Sequence, residues 1–132
     1  MRTKQRNNLA ETACHERVAQ NTDVYAVKAR NYKGLRRGSP VFCRNNWHIH
    51  HAKSGGGQIL VCVAGRGYYQ VEGKEAVEMK PGDCINIPAE VKHWHGAAPD
   101  EWFSHLAIEV PGENGSNEWL EPVSDEEYRK LK

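Results

Sequence analysis

Short apolar runs separated by glycine and proline fill the chain from residue 58 to residue 110. Within the runs, residues two or four positions apart share one face of a strand, as Phe103 and Ala107 do, and this face is largely apolar. Turn sequences such as Gly65-Arg66-Gly67 separate the runs. This pattern predicts an antiparallel all-β sandwich or barrel. The predicted strands are ILVCV at 59–63, YYQVE at 68–72, EAVEM at 75–79, CINI at 84–87, VKHWHG at 91–96 and FSHLAIEV at 103–110.

The C-terminal sequence has a different pattern. EPVSDEEYRKLK, at 121–132, predicts a short helix with Ser124 as the N-cap and Glu127 as its capping-box partner. Because 132 residues suffice for one hydrophobic core of ordinary size, we expect a single barrel that ends in this helix.

The first forty residues follow neither pattern clearly. Residues 24–27 form a candidate strand and residues 9–20 a weak helix, whereas residues 28–39 have no period of either kind. We therefore divide the chain into an N-terminal arm over 1–40, partly strand, and a barrel over 41–132.

Charge is spread unevenly although the net charge is only +1. Residues 1–40 hold nine lysines and arginines against three acids, and the remainder holds nine against fourteen. A basic arm can bind nucleic acid or an acidic partner, but no aromatic residues alternate with these basic ones in a stacking pattern. A solvated arm, or one packed against a second subunit, is therefore favoured, and we expect a homodimer or homotetramer that does not bind nucleic acid.

The sequence also suggests where the protein works. No apolar run approaches the roughly 20 residues that span a bilayer. The start MRTKQRNNLAETACHER is polar, with no apolar segment after its basic residues, so we expect no secretory signal. Four cysteines form no C-x-x-C pair, and Cys62 and Cys84 lie in apolar runs where we expect small, buried, reduced side chains. We expect a cytoplasmic protein that does not enter a membrane.

Six of the seven histidines lie between His48 and His105, and four of them form His-x-His pairs. On a strand, residues two apart share a face, so His48 and His50 can aim at one point, as can His93 and His95. A lone buried histidine is usually a hydrogen-bonded core residue, but two such pairs favour a divalent metal held by three or four nitrogens.

The order and spacing of these residues resemble the two motifs of the cupin superfamily. The first motif is matched by His48-Ile49-His50, Gln58 and, after six residues, Gly65; the second is matched by Gly82, Pro88 and His93. PAEVKHWHGAAP, SHLAIEV and the closing W-x-E-P-V-S-D-E-E-Y are similar to small cupins related to bacterial manganese hydroxynitrile lyases and carboxymuconolactone-decarboxylase-associated cupins. The resemblance implies an antiparallel cupin barrel, a double-stranded β-helix of jelly-roll topology.

Two departures from these motifs affect the site. Seven residues separate His50 from Gln58 instead of three or four, and we expect the insert Ser54-Gly55-Gly56-Gly57 to loop over the barrel mouth. The second motif's Pro-x-Gly is Pro88-Ala89-Glu90, which puts a side chain where a positive φ is often needed.

The resemblance implies that His48, His50, Gln58 and His93 bind one divalent metal ion. Manganese is favoured, and iron, nickel and zinc remain open. An amide at position 58 in place of the usual carboxylate removes a negative charge and would make the metal a stronger Lewis acid. The alternative is that Gln58 only begins a strand and bonds to the backbone.

His95 and His105 are the candidate catalytic residues, because an imidazole beside a metal-bound substrate can transfer protons near neutral pH. The alternative is that they orient a ligand. We interpret His51 as a surface residue, and Trp94 as lying outside the barrel at an interface between subunits or sheets.

The activity implied by the resemblance is that of a metal-dependent lyase, which cleaves a cyanohydrin or another small polar molecule. Two other functions stay open: a metal-dependent dioxygenase, since three histidines around Fe(II) leave positions for dioxygen, and a non-catalytic binding or accessory cupin.

Overall fold

In the computed structural model, residues 44–132 are described fully, and before them the backbone of four strands is described: β1 (Cys14–Ala19), β2 (Ala26–Tyr32), β3 (Leu35–Arg36) and β4 (Ser39–Pro40). The later elements are β5 (His48–His51), β6 (Gln58–Gly65), β7 (Gly67–Val71), β8 (Val77–Met79), β9 (Cys84–Ile87), β10 (His93–Ala97), β11 (Phe103–Glu109), β12 (Ser116–Trp119) and the helix α1 (Asp125–Arg129).

The described strands form two five-stranded antiparallel sheets, in the orders β1-β2-β11-β6-β9 and β12-β5-β10-β7-β8. Strands β3 and β4 pair separately. The predicted all-β jelly-roll barrel with a short C-terminal helix is confirmed. The candidate site lies between the sheets, where β5 and β10 of one face β11 of the other.

The expected weak helix at 9–20 is wrong for residues 14–19. These residues form β1, which pairs with β2 from Cys14 opposite Tyr32 to Ala19 opposite Val27. Strand β2 in turn pairs with β11 along its whole length, so the first sheet includes strands from the predicted arm. Pairing partners distant in sequence set this structure, which local periodicity cannot reveal. Of the candidate strand at 24–27, residues 24 and 25 lie outside the described residues.

An apolar core fills the space between the two sheets. Strands β6 and β11 contribute alternate residues to it, which confirms the strand interpretation of their sequence pattern. This core consists of Leu60, Cys62, Met79, Ile87, Ala97, Phe103 and Ala107.

A second apolar cluster covers the outer face of the sheet that contains β10. It is formed by Trp47, Tyr68, Trp94, Ala98, Val123 and Tyr128. Ser124 caps α1 by accepting the Glu127 N–H at 3.1 Å, as predicted, and the Tyr128 hydroxyl donates to the Ala97 carbonyl at 2.5 Å. Trp94 lies outside the barrel as expected, but it is only 1% exposed because the chain's own C-terminal segment covers it. All five residues of β10 are therefore buried.

The glycine insert packs against the segment after β11. Gly55 forms a β-bridge with Gly112, Gly56 donates its N–H to the Pro111 carbonyl at 3.0 Å, and Gly57 accepts from Val110 at 3.0 Å. A Cβ at Gly56 would lie 2.5 Å from the Ala52 Cβ, so this close approach needs glycine. The insert therefore ends next to the sheet, and β6 begins directly after it at Gln58.

The two cysteines described with their side chains are both free thiols, but they differ in exposure. Cys62 is buried as expected, and burial raises its pKa. The expectation that Cys84 is buried is wrong, since β9 turns this residue outward.

Among the described residues, no helix has the length and apolar character needed to cross a membrane.

Candidate metal centre

Neighbouring strands bring the predicted histidine pairs together. β5 and β10 run antiparallel with His48 directly opposite His93, so His50 and His95 extend the same inner face in opposite directions. All four side chains are buried. His105 reaches the interior from the facing sheet, next to an irregularity in the pairing of β11 with β6 between Ser104 and His105.

The imidazole rings lie close enough to share one ion. Ring centroids are 4.2 Å apart for His48 and His93, 5.2 Å for His48 and His50, and 5.5 Å for His50 and His93. The nitrogens of His48, His93 and His95 lie within 4.8 Å of one another, a spacing that could hold a metal ion. This group therefore includes His95, one of the predicted catalytic residues, in addition to two of the predicted ligands.

Hydrogen bonds to Nδ1 fix the tautomers of three of these rings. Nδ1 of His48 lies 2.9 Å from the Asn46 carbonyl oxygen, Nδ1 of His93 lies 2.8 Å from that of Val91, and Nδ1 of His50 lies 2.7 Å from the Asn117 Oδ1. An oxygen of this kind only accepts, so Nδ1 must carry the hydrogen. In the neutral ring, Nε2 then carries the lone pair that a metal binds.

The contact between Gln58 and His93 also points to a cation. Burial lowers the pKa of His93 to about 4, so the ring is neutral at neutral pH and its Nε2 is an acceptor. The Gln58 Oε1, also an acceptor, lies 3.2 Å from that nitrogen. In this orientation of the amide both atoms are acceptors, and a cation bound between them would satisfy both. The donor set of imidazoles and one amide oxygen thus fits a divalent transition metal.

His95 is held differently from the other three rings. The Asn45 side-chain nitrogen, a donor, lies 3.0 Å from the His95 Nε2, and the Asn45 Oδ1 accepts the backbone N–H of His95 at 2.9 Å. A ring nitrogen that accepts from an amide is less able to bind a metal. Asn45 thus sets the orientation of the His95 ring.

His105 lies next to His95 and deeper among apolar side chains. The two ring centroids are 4.8 Å apart, and the His105 ring stacks on Phe103 at 4.7 Å. The structure thus places both predicted catalytic residues side by side.

A model of the family described as Cupin domain matches residues 41–109, more than half of the sequence. The chain belongs to the cupin family. A protein from Granulicella tundricola named (R)-mandelonitrile lyase is 41% identical over 87 residues, which are 66% of this cupin and 63% of that relative. The match therefore spans less than two thirds of the relative's length.

Solved structures agree with the family assignment of this cupin. A cupin-like protein from Thermotoga maritima is 38% identical, with a TM-score of 0.71 and coverage of 90% of this chain and 83% of that one. KdgF from Halomonas sp. is 17% identical, with a TM-score of 0.57 and coverage of 78% and 83%, a likeness of fold.

His51, interpreted as a surface residue of this cupin, is partly exposed and bonded to two carboxylates. Its Nδ1 lies 2.6 Å from Glu90 and its Nε2 2.6 Å from Glu118, and these bonds, Glu118 first, raise the pKa of His51. Glu90 has the positive φ that the motif predicts, 66°, and its Oε1 also accepts the Ala52 N–H at 2.9 Å. The bond with His51 lowers the pKa of Glu90.

Three residues of the site were not anticipated from the sequence. Asn45 and Asn117 bond to histidines 50 and 67 positions away in the sequence, a separation that local patterns do not register. Trp119 is 53% exposed, yet its rings lie 4.8 Å from the His48 ring. The only available signal for Trp119 was its place in the closing W-x-E-P-V sequence.

A cavity of about 260 Å³ lies beside the site, and His50 forms part of its wall. Glu109 and Asn117 line it together with backbone of the glycine insert. Polar groups therefore surround an approach to the His50 side of the site.

Proposed function

We propose that this cupin is a divalent-metal-dependent lyase that cleaves a cyanohydrin into a carbonyl compound and hydrogen cyanide. The observation that carries the proposal is the buried group of imidazoles with Nδ1 bound to acceptors. The relative named (R)-mandelonitrile lyase supports the reaction class. A small polar molecule is the proposed substrate class.

The proposed ligands are His48, His50, Gln58 and His93, with manganese favoured over iron, nickel or zinc. When bound, the metal supplies a Lewis acid that polarises the hydroxyl oxygen of the substrate. Because Gln58 is uncharged, these ligands add no negative charge to offset that of the ion.

His95 and His105 are the proposed proton carriers. One of these rings accepts the hydroxyl proton, the carbon–oxygen bond becomes a carbonyl, and the carbon–carbon bond to the nitrile breaks, its electron pair leaving with cyanide. The imidazolium then returns the proton to cyanide, which balances the reaction. Burial beside Phe103 keeps water from the transfer.

A dioxygenase is the second candidate, because the imidazoles of His48, His93 and His95 have nitrogens within 4.8 Å of one another and three imidazoles also suit Fe(II). In that case His95 would be a metal ligand and not a proton carrier. Oxygen uptake by the iron-loaded protein would favour it. A non-catalytic binding or accessory role would be supported if a filled site gave neither reaction.

We also propose a cytoplasmic homodimer or homotetramer. Large apolar side chains about half exposed among the described residues support association: Val63, Val77, Trp102 and Trp119.

The test begins with manganese-reconstituted protein and mandelonitrile, with benzaldehyde and cyanide measured as products. We expect turnover above that of free manganese ion. Variants His95→Ala and His105→Ala should retain about one metal per chain and lose about 10²–10⁴-fold in rate, since both are proposed to move protons. His48→Ala or His93→Ala should abolish metal binding.

Two outcomes would contradict the proposal. Metal-loaded wild type that cleaves mandelonitrile no faster than free manganese would refute the lyase reaction. Full metal content in both His48→Ala and His93→Ala would refute the ligand assignment.

A further inference from the structure

Asn117 bridges a carboxylate and a proposed metal ligand. Its Nδ2 donates to the Glu109 Oε1 at 2.7 Å, and its Oδ1 lies 2.7 Å from the His50 Nδ1. Because the amide nitrogen donates to Glu109, the amide oxygen faces His50. The orientation of this amide is thereby settled by its partners.

The amide orientation determines the tautomer of His50. Since the Asn117 Oδ1 can only accept, Nδ1 of His50 donates and its Nε2 carries the lone pair. In His48 and His93, main-chain carbonyl oxygens have this role. His50 instead depends on a side chain, which substitution can remove without altering any proposed ligand.

The strand pairing holds Asn117 in place. Asn117 lies directly opposite His50 in the antiparallel pairing of β12 with β5. β12 is an edge strand whose four residues are all exposed, so the sheet gains little apolar burial from it. The bond from Asn117 reaches inward from this edge to a ring that is buried.

We propose that Asn117, itself oriented by Glu109, is a positioning residue that holds His50 in the Nδ1–H tautomer and so presents its Nε2 to the metal. The inference rests on the proposed metal site. By this inference β12 has a function in metal binding. Its Asn117 supplies the acceptor that sets the tautomer of His50 before the ion binds.

The first test reads the tautomer directly in metal-free protein. Long-range ¹H–¹⁵N NMR spectra distinguish the two neutral tautomers of histidine, and the His50 signals are assigned by their loss in His50→Gln. We expect the Nδ1–H form in wild type and a mixture or the Nε2–H form in Asn117→Leu, which keeps the size of the side chain but lacks the acceptor. Finding Nε2–H in wild type, or no change in Asn117→Leu, would overturn the inference.

The second test measures Co²⁺ affinity by chelator competition and the ligand field from the visible Co²⁺ spectrum. Loss of a partner that orients a metal-binding histidine typically weakens affinity about 10- to 100-fold, and we expect this of Asn117→Leu. Ser116→Ala, on the same exposed strand, is the control and should bind Co²⁺ as wild type does. Circular dichroism checks that each variant is folded.

A rescue separates positioning from a general effect on the fold. Asn117→Asp keeps the acceptor for His50 but sets two carboxylates against each other, whereas Asn117→Asp with Glu109→Gln restores one donor and one carboxylate. We expect the double variant to bind Co²⁺ more tightly than Asn117→Asp alone and to recover the wild-type spectrum. Equal affinity and spectra across the folded variants would overturn the inference. If wild type binds no metal at all, the proposed function is refuted. The tautomer test in metal-free protein then decides the role of Asn117.

Discussion

At the residue scale, the partner of each imidazole decides what the ring can do. His48 and His93 donate from Nδ1 to backbone carbonyls, whereas Asn45 places a donor against a ring nitrogen of His95. The rings with an acceptor at Nδ1 are proposed metal ligands, and the ring with a donor at Nε2 is a proposed proton carrier. The spacing of His-x-His pairs predicted that the rings meet, but it could not predict this difference, because the partners lie elsewhere in the sequence.

At Glu90, backbone strain and side-chain hydrogen bonds have opposite effects on stability. Its φ of 66° favours glycine, while its carboxylate bonds to His51 and to the Ala52 N–H. Glu90→Ala loses the bonds and keeps the strained Cβ, so it should be the least stable form. Glu90→Gly loses the same bonds but relieves the strain, so it should recover part of the loss in urea denaturation. Equal midpoints for the two variants would show that the backbone at this position relaxes without cost.

At the element scale, the glycine insert is a packed part of the barrel. Gly56 has a φ of 75°, and a Cβ there would lie 2.5 Å from the Ala52 Cβ. Gly73, in the β7–β8 turn, has nearly the same φ, 76°, with no atom within 4 Å of a Cβ. A substitution to alanine should therefore cause similar backbone strain at Gly56 and Gly73, but only at Gly56 would the new Cβ meet another atom.

We expect Gly56→Ala to be less stable than Gly73→Ala by about 1–3 kcal/mol, the usual cost of overpacking a close contact. The free energy of unfolding in urea measures the difference. Both variants should also lose roughly 1 kcal/mol from the positive φ.

A second pair of glycines checks the result independently. Gly57 and Gly82 have φ of 98° and 96°, and a Cβ at Gly57 would lie 2.4 Å from the Ile87 carbonyl oxygen, whereas Gly82 has open space. Gly57→Ala should again be the less stable variant. Similar losses within each pair would mean that the insert does not pack as described.

The strands differ in how far the sequence could predict them. β6 and β11 alternate buried and partly buried residues over much of their length, so their pattern predicted the greater part of each strand, at 59–63 and at 103–110. β12 has only exposed side chains, and its pairing with β5 makes it a strand. The pattern at 9–20 predicted a weak helix, but residues 14–19 form β1, because pairing with β2 outweighs local preference. Apolar alternation thus predicted strands that bury alternate side chains, such as β6 and β11, but not β12, whose side chains are exposed.

At the scale of the whole molecule, the site lies on a strand that is supported from both sides. The inner core packs between the sheets, and the cluster around Trp94 and Tyr128 covers the outer face of β10. The Tyr128 hydroxyl also bonds to Ala97, the last residue of β10. The strand that carries His93 and His95 is therefore fixed by contacts that involve no metal.

Removal of the metal should consequently lower stability without unfolding the barrel. A ligand present at one hundred times its dissociation constant stabilises the folded state by about 2.7 kcal/mol, so stripping the ion should lower Tm by roughly 10 °C. Far-ultraviolet circular dichroism of EDTA-treated protein should remain that of a β-barrel, and restoring manganese should restore Tm. His48→Ala serves as the control, since its Tm should not respond to manganese. If chelation instead abolishes the β-sheet signal, the two apolar clusters do not hold β10 without the ion, and the site is formed only when metal binds.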